Sequence, residues 1–295
     1  MTQVVALGGN ALMRPGERGT AAEQLANLRR AVAALGLLLS EPRLVLTHGN
    51  GPQVGNELLR QERAAAEAPP LPLWLAVAQT QAEIGALIAA EVRSAVDARD
   101  VACVLTHVRV APDDPAFDRP TKPIGPFYSD AEAEQLQGER GWAMVVDANR
   151  GRRRVVPSPM PLEVVELDAI RALAEAGAIT IACGGGGIPV VRRGRRLTGV
   201  DAVIDKDRAS ALLAKDLGAD RLVILTEVRA VYRDFATDRA QEIRALTLEQ
   251  AEALLPDLAE GSMRPKVEAA IEFGRETLIT NFDGLGAGGG TRIGP

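Results

Sequence analysis

Cysteine is nearly absent from this 295-residue chain: Cys103 and Cys183 are the two it has, each ending an apolar run and far apart, with a single histidine, His107, within ten residues of either. That excludes a disulfide framework and argues against a zinc site, so the expectation is two buried free thiols. Histidine is as scarce, at His48 and His107. Aromatic residues are 3% of the chain and the net charge is -5. Few stacking platforms and no overall basic field exist to attract nucleic acid. The apolar runs are short, and the opening MTQVVALGG is already strand-like, so neither a membrane span nor a signal core is visible. A cytoplasmic protein is expected.

The shortage of lysine is more informative. Of 34 Lys plus Arg, the lysines are Lys122, Lys206, Lys215 and Lys266. A chain this biased toward arginine is expected to keep lysine where a wide planar guanidinium cannot replace a compact ammonium, as in a tight phosphate site. Lys215, in ALLAKDLGAD, reads as an exposed lysine near a helix end. The other three lie in unusual surroundings. Arginine is bunched in RGRRR at 150–154 and RRGRR at 192–196. Without interleaved aromatics these runs read as solvated hairpins or as the rim of an anion-binding cleft.

With 46% hydrophobic and 25% charged residues, the chain can bury a large core in one domain or two lobes. Short β-rich runs at 3–7 and 43–47 flank Leu25, Leu28, Val32, Leu35 and Leu39 at helical spacing, a βαβ unit. Helices are expected over 51–67 and 74–97, then a strand in VACVLT. From about 108 to 160 prolines recur and no periodicity lasts; this stretch reads as a subdomain projecting from the body. Alternation resumes with helices near 166–176, 205–217 and 263–275 and strands at 178–183, 221–226 and 277–280. The rhythm predicts an α/β protein with a mainly parallel sheet covered on both faces, its ligands beyond the carboxyl ends of the strands.

Those ends are rich in glycine. VVAL runs into Gly8, Gly9 and Asn10; LVLT into HGNGPQVGN with Gly49, Asn50 and Gly51; ITIAC into GGGGIP with Gly185 and Gly186; and LVILT into Glu227. A run of four glycines is costly to order. Three such turns at one edge, two of them leading toward helix starts, predict backbone N–H groups and positive helix ends converging on a polyanion. The alternatives lack their motifs: no GxxxxGK[ST], no GxGxxG after the first strand and no G-x-S-x-G occur.

The segments VALGGNAL, THGNGPQVGN, PTKPIGPFY, VVPSPMP, CGGGGIPVV, GVDAVIDKDRAS, LVILT and GSMRPKVEAA, in this order and at these spacings, closely resemble the carbamate kinases of the amino acid kinase superfamily. The resemblance spans essentially the whole chain. It implies a three-layer α/β/α sandwich, with a carbamate or carbamoyl phosphate lobe over 1–185, a protruding subdomain at about 111–158 and a nucleotide lobe over 186–295. It also implies a cytoplasmic homodimer of arginine metabolism and reversible phosphoryl transfer between ATP and carbamate, giving ADP and carbamoyl phosphate, with Mg2+ accompanying the nucleotide.

Carbamate is already an anion, so the transfer needs alignment and charge neutralisation rather than a general base. On the resemblance, Lys206 bridges the attacking oxygen and the phosphoryl group, held by Asp207, with Asp205 the second candidate. Lys266 meets the ATP phosphates, which would explain a cation at a helix start. Lys122 reaches in from the subdomain, replacing the lysine that most of the superfamily carries where this chain has Ala6. Gly8, Gly9, Asn10, Gly49, Asn50, Gly51, Gly185 and Gly186 surround the substrate; Thr226, Glu227, Tyr232 and Met263 join Lys206 and Lys266 around the nucleotide. No protein-held metal is expected.

Two departures stand out. Arg229 occupies the position of a usual acidic residue, which puts ribose or adenine contacts in question, with Glu227 as a compensating group. The C-terminal GLGAGGGTRIGP is an extra glycine-rich turn with no evident purpose. A non-catalytic nucleotide- or anion-binding member of the fold, or a kinase with another small acceptor, remains an alternative.

Overall fold

The structure is a computed structural model that describes every residue except 15, 147–150, 236 and 260–262. Arg150 of the first arginine run and Gly261 and Ser262 of GSMRPKVEAA therefore lie outside the described residues, as does the side chain of Asn10.

The main sheet contains, in chain order, β1 (Thr2–Leu7), β2 (Arg43–His48), β3 (Val101–Cys103), β4 (Ile179–Ile181), β5 (Arg221–Leu225), β6 (Ala245–Thr247), β7 (Glu276–Thr280) and β8 (Thr291–Gly294). Across the sheet they run β6-β8-β7-β5-β1-β2-β4-β3. All neighbours are parallel except β7 and β8. β1 is central, with Ala6 opposite Ile224 on one side and Thr47 on the other. The chain therefore leaves β1 in two directions along the sheet, and the crevice above its carboxyl end is where such sheets bind ligands.

The helices are α1 (Ala21–Leu35), α2 (Gly51–Ala64), α3 (Leu73–Ala95), α4 (Asp130–Arg140), α5 (Leu167–Glu175), α6 (Lys206–Asp216), α7 (Leu248–Leu254), α8 (Arg264–Phe273) and α9 (Phe282–Gly286). Strand alternation sorts them into two layers. Val4, Ala6, Val45, Leu222 and Ile224 face α5, α6, α7 and α8 through Ile170, Leu213, Ala251 and Val267. Val5, Leu7, Leu44, Leu46 and Val223 face α1 and α3 through Leu28, Val32, Ile84 and Ile88. Each fully buried Leu or Ile in these layers contributes about 1.5–3 kcal/mol. Helix α3 is long and apolar enough to span a bilayer by length and composition, a property that the separate apolar runs did not suggest. Its apolar face is spent on the protein, with Ile84, Ile88 and Val92 fully buried.

The stretch expected to lack sustained strand and helix periodicity has both. Strands Lys122–Tyr128, Met144–Val146 and Arg152–Val156 form their own three-stranded sheet, with α4 inserted. The signal for α4 is the capping box S-D-A-E, in which the Ser129 side chain accepts from the Glu132 amide while Glu132 accepts from Ser129. This sheet lies on α2 almost backbone to backbone: a Cβ on Gly55 would stand 3.0 Å from the Cα of Gly125.

The arginine runs separate. RRGRR is the turn of an antiparallel hairpin, Ile188–Arg193 with Arg196–Gly199, and its arginines are exposed. In the other run, Arg153 lies over Phe127 and Arg154, together with Arg140, over Trp142. These aromatics are absent from the run itself but are supplied by neighbouring segments. Cys183 is buried as expected, whereas Cys103 is exposed because β3 is the outermost strand of the sheet.

Candidate active site

Helix α6 starts at the carboxyl edge of the sheet, and its cap organises the charges. One carboxylate oxygen of Asp205 accepts from the amides of Asp207 (2.9 Å) and Arg208 (3.3 Å). The other accepts from Lys122 Nζ at 2.8 Å. Lys206, the first residue of α6, donates to Asp207 Oδ1. Lys266, in the first turn of α8, stands 3.1 Å from Asp207 Oδ2. The reading of DKD is thereby refined: Asp207 holds two lysines, and Asp205 holds Lys122 while capping the helix. The side chains of Lys206 and Lys266 are 14% and 13% exposed, against 36% for Lys122. The first two belong to the floor of the site, and Lys122 comes in from above.

The electrostatics follow from burial. Desolvation alone would raise the carboxyl of Asp205, but Lys122, with Lys206 and Lys266 beyond it, holds it well below the usual range. Asp207 is also held down, desolvation being overcome by Lys206 and Lys266. Burial lowers the ammonium of Lys206, with Asp207 opposing.

These groups open onto a cavity of about 370 Å3 between the carboxyl ends of β1 and β5. Gly8, Gly9, Thr226, Glu227, Tyr232 and Met263 line it together with Lys206 and Lys266. Every residue expected around the nucleotide is thus brought together. Phe235 and Asp257 line it too, and sequence reasoning missed both: Phe235 sits in a turn and Asp257 ends a short 3-10 helix, outside any quoted motif. Phe235 approaches Tyr232 with ring centroids 5.8 Å apart. Arg229 is not among the lining residues. A wider depression of about 710 Å3 lies at the opposite edge of the sheet. There Arg99 is committed to the carbonyls of Gly177, Leu39 and Pro42.

Behind Lys206 lie the other glycine turns. A Cβ on Gly49 would stand 3.3 Å from Lys206 Cδ, so the lysine stem rests on this glycine. Thr47 and Ser210 share a 2.6 Å hydrogen bond that ties β2 to α6. Gly51 opens α2, but Asn50 at its cap makes no side-chain cap bond and donates to Thr80 Oγ1 instead. Gly184 to Gly187 are buried, and their lack of side chains is required by the protein itself: added Cβ atoms would meet His48 Nε2 at 2.3 Å, Asn50 Nδ2 at 2.2 Å, Ile204 O at 2.2 Å and Val108 Cγ2 at 2.3 Å. His48 is fully buried, with Nδ1 2.9 Å from the Gly49 carbonyl, so that nitrogen carries the proton. Burial, assisted by Lys206, lowers its pKa to about 4.

The amino acid kinase family profile matches residues 1–280. The chain belongs to the amino acid kinase family. This amino acid kinase is 46% identical over 303 residues to the carbamate kinase of Halobacterium salinarum, covering 99% of this chain and 98% of that one. It is 44% identical to the carbamate kinase of Lentilactobacillus hilgardii, over 96% of this chain and 92% of that one. The solved structure of carbamate kinase from Giardia lamblia bound to AMP-PNP matches it with a TM-score of 0.90 at 38% identity, covering 99% and 98% of the two chains. Among its described residues this amino acid kinase has no cluster of three or more His, Cys, Asp or Glu that could hold a metal ion. Asp205 and Asp207 are already paired with ammonium groups.

Proposed function

We propose that the protein is a carbamate kinase, transferring the γ-phosphoryl group of ATP reversibly to carbamate. The observation that carries this reading is the meeting of Lys206 and Lys266 on one buried carboxylate, at the mouth of a cavity bounded by Gly8 and Gly9. A carbamate oxygen donates its electron pair to the γ-phosphorus as the bond to the β-phosphate bridging oxygen breaks, and ADP leaves with that pair. No proton has to be removed, which suits a site whose buried histidine is neutral and turned onto its own backbone. Lys206 neutralises the phosphoryl in flight, Lys266 the nucleotide phosphates, and Lys122 closes from the small subdomain. Mg2+ would enter with the nucleotide phosphates, which supply the hard oxygen ligands it prefers; among the described residues no group of three or more His, Cys, Asp or Glu is placed to hold it.

Residues 1–185 form the carbamoyl lobe, with the subdomain at about 111–158, and 186–295 the nucleotide lobe. Gly49, Asn50, Gly51, Gly185 and Gly186 surround the acceptor. A cytoplasmic homodimer working in arginine metabolism completes the reading. The test is ATP formation from ADP and carbamoyl phosphate by the wild type and Lys206→Ala. Turnover by the first and its loss in the second are expected. ADP binding without turnover by the wild type would make this a binding protein, and turnover only with a different acyl phosphate would make it another kinase.

A further inference from the structure

Arg229 and the C-terminal glycines, the two departures in the sequence, touch each other. A Cβ on Gly289 would lie 2.8 Å from Arg229 Nε and 3.0 Å from Nη2; one on Gly284 would meet Thr280 Oγ1 at 2.3 Å and Asn281 Oδ1 at 3.0 Å before Arg229 Cγ at 3.3 Å. Gly288 and Gly290 have φ of +67° and +114°, which explains glycine there by backbone conformation. Gly289 has no such φ. What excludes a side chain at 289 is the guanidinium.

The segment that carries Arg229 is fastened at both ends to the same C-terminal stretch. The Thr226 amide donates to the Thr280 carbonyl (2.8 Å), and the Val231 amide to Thr291 Oγ1 (2.8 Å). Between these anchors Thr226, Glu227 and Val228 line the nucleotide cavity. Arg229 follows directly, with its guanidinium laid on the turn that joins α9 to β8. Glu227 is exposed and Val228 half-buried, while Ala230 is fully buried; the exposed part of such a segment moves most easily, and there the guanidinium on the glycine turn adds a hold.

We propose that Arg229 is a positioning residue for the nucleotide: with its guanidinium seated on Gly289, it fixes the 226–228 loop against the C-terminal turn and so sets affinity for the nucleotide without touching it. This rests on the cavity being the nucleotide site. It joins the two departures in one device, an arginine and the glycine, Gly289, that makes room for it.

The test is calorimetric titration of ADP into the wild type, Arg229→Ala, Gly289→Ala and the double variant, with KM for ADP and for carbamoyl phosphate measured alongside. Each single variant is expected to raise the ADP Kd by roughly three- to tenfold, the range for a loop-positioning contact. Carbamoyl phosphate KM and kcat should move by less than about twofold. The double variant should be no weaker than Arg229→Ala, because the three atoms nearest to the new methyl group, all of the Arg229 guanidinium, are then gone. Arg229→Lys, which keeps the charge but loses the flat fork, should fall between. An unchanged ADP Kd in both single variants, losses that simply add in the double variant, or an equal rise in carbamoyl phosphate KM would each overturn the proposal. Absence of kinase turnover would count against the proposed function alone, since the ADP titration reads Arg229 independently; a wild type that binds no ADP would overturn both.

Discussion

Lys206 and Lys266 bring their ammonium nitrogens to the two oxygens of a single carboxylate, that of Asp207. With Lys122 on Asp205, three ammonium groups are gathered on two carboxylates. Lys206 and Lys266 are nearly buried, and positive groups fixed in such a place are strengthened as partners for an arriving phosphoryl group. The lysines are thus in place before the anion and need not be gathered during the reaction.

Asp207→Asn tests this arrangement. It removes the charge shared by two nearly buried ammonium groups, a change of the kind that destabilises by about 3–5 kcal/mol. Denaturant unfolding should show a lower midpoint. Lys206, already lowered by burial, should lose its proton more readily, so the alkaline limb of kcat should move to lower pH. Lys206→Ala, by contrast, should lower kcat by about 100- to 1000-fold with a much smaller loss of stability. Similar unfolding curves for Asp207→Asn and wild type would refute the shared counter-charge.

His48 sets a pH dependence of stability. Its folded pKa, lowered by burial to about 4, lies below the ordinary 6.5, so the unfolded chain takes up a proton first. Its contribution is complete above pH 6.5 and is lost as pH falls from 6.5 toward 4, a loss on the order of 3 kcal/mol. His107 acts in the opposite sense: its hydrogen bond to Glu166 raises its pKa, so its contribution is present below 6.5 and fades as pH rises beyond. The depressed carboxyls of Asp205 and Asp207 give up stability only at lower pH, below their ordinary 3.8. His48→Asn, whose amide can still donate to the Gly49 carbonyl, should flatten the decline between pH 6.5 and 4. An unaltered decline would show that His48 is not its source.

Much of the fold was legible because strand and helix periods alternate cleanly: β1, β2, β4, β5 and β7 and helices α1, α3, α5, α6 and α8 fall where the apolar spacing predicts. What escaped were elements whose stabilisation is not local. Strand β8 has four residues, and glycine-rich chain precedes it; its place is fixed by pairing with β7. Helix α4 is mostly polar and is declared only by its cap. In the site, the scarcity of lysine identified all three cluster members, because a compact cation is a chemical requirement visible in composition. The division of labour between Asp205 and Asp207 was not visible, since it depends on which oxygen faces which loop. The four-glycine turn was the hardest to read. A sequence reports that side chains are excluded, but not whether a ligand or the protein's own Asn50, His48 and Ile204 excludes them.

Two glycines at the carboxyl edge should therefore fail in different ways when a methyl group is added. At Gly49 the backbone conformation is ordinary and the nearest atom is Lys206 Cδ at 3.3 Å, part of a flexible chain. Gly49→Ala should cost no more than about 1 kcal/mol in stability yet shift the lysine stem, and a displacement near 1 Å in such a group can lower kcat by about 100-fold. At Gly185 φ is +67° and the methyl group would lie 2.2 Å from Asn50 Nδ2, itself buried and bonded to Thr80. Gly185→Ala meets backbone strain of about 1–2 kcal/mol together with displacement of a packed amide, so both stability and activity should fall. Thermal melting and steady-state kinetics on the pair decide it. If Gly49→Ala melts as early as Gly185→Ala, Gly49 serves the packing of the fold; if it keeps full kcat, the stem of Lys206 does not depend on the surface beneath it.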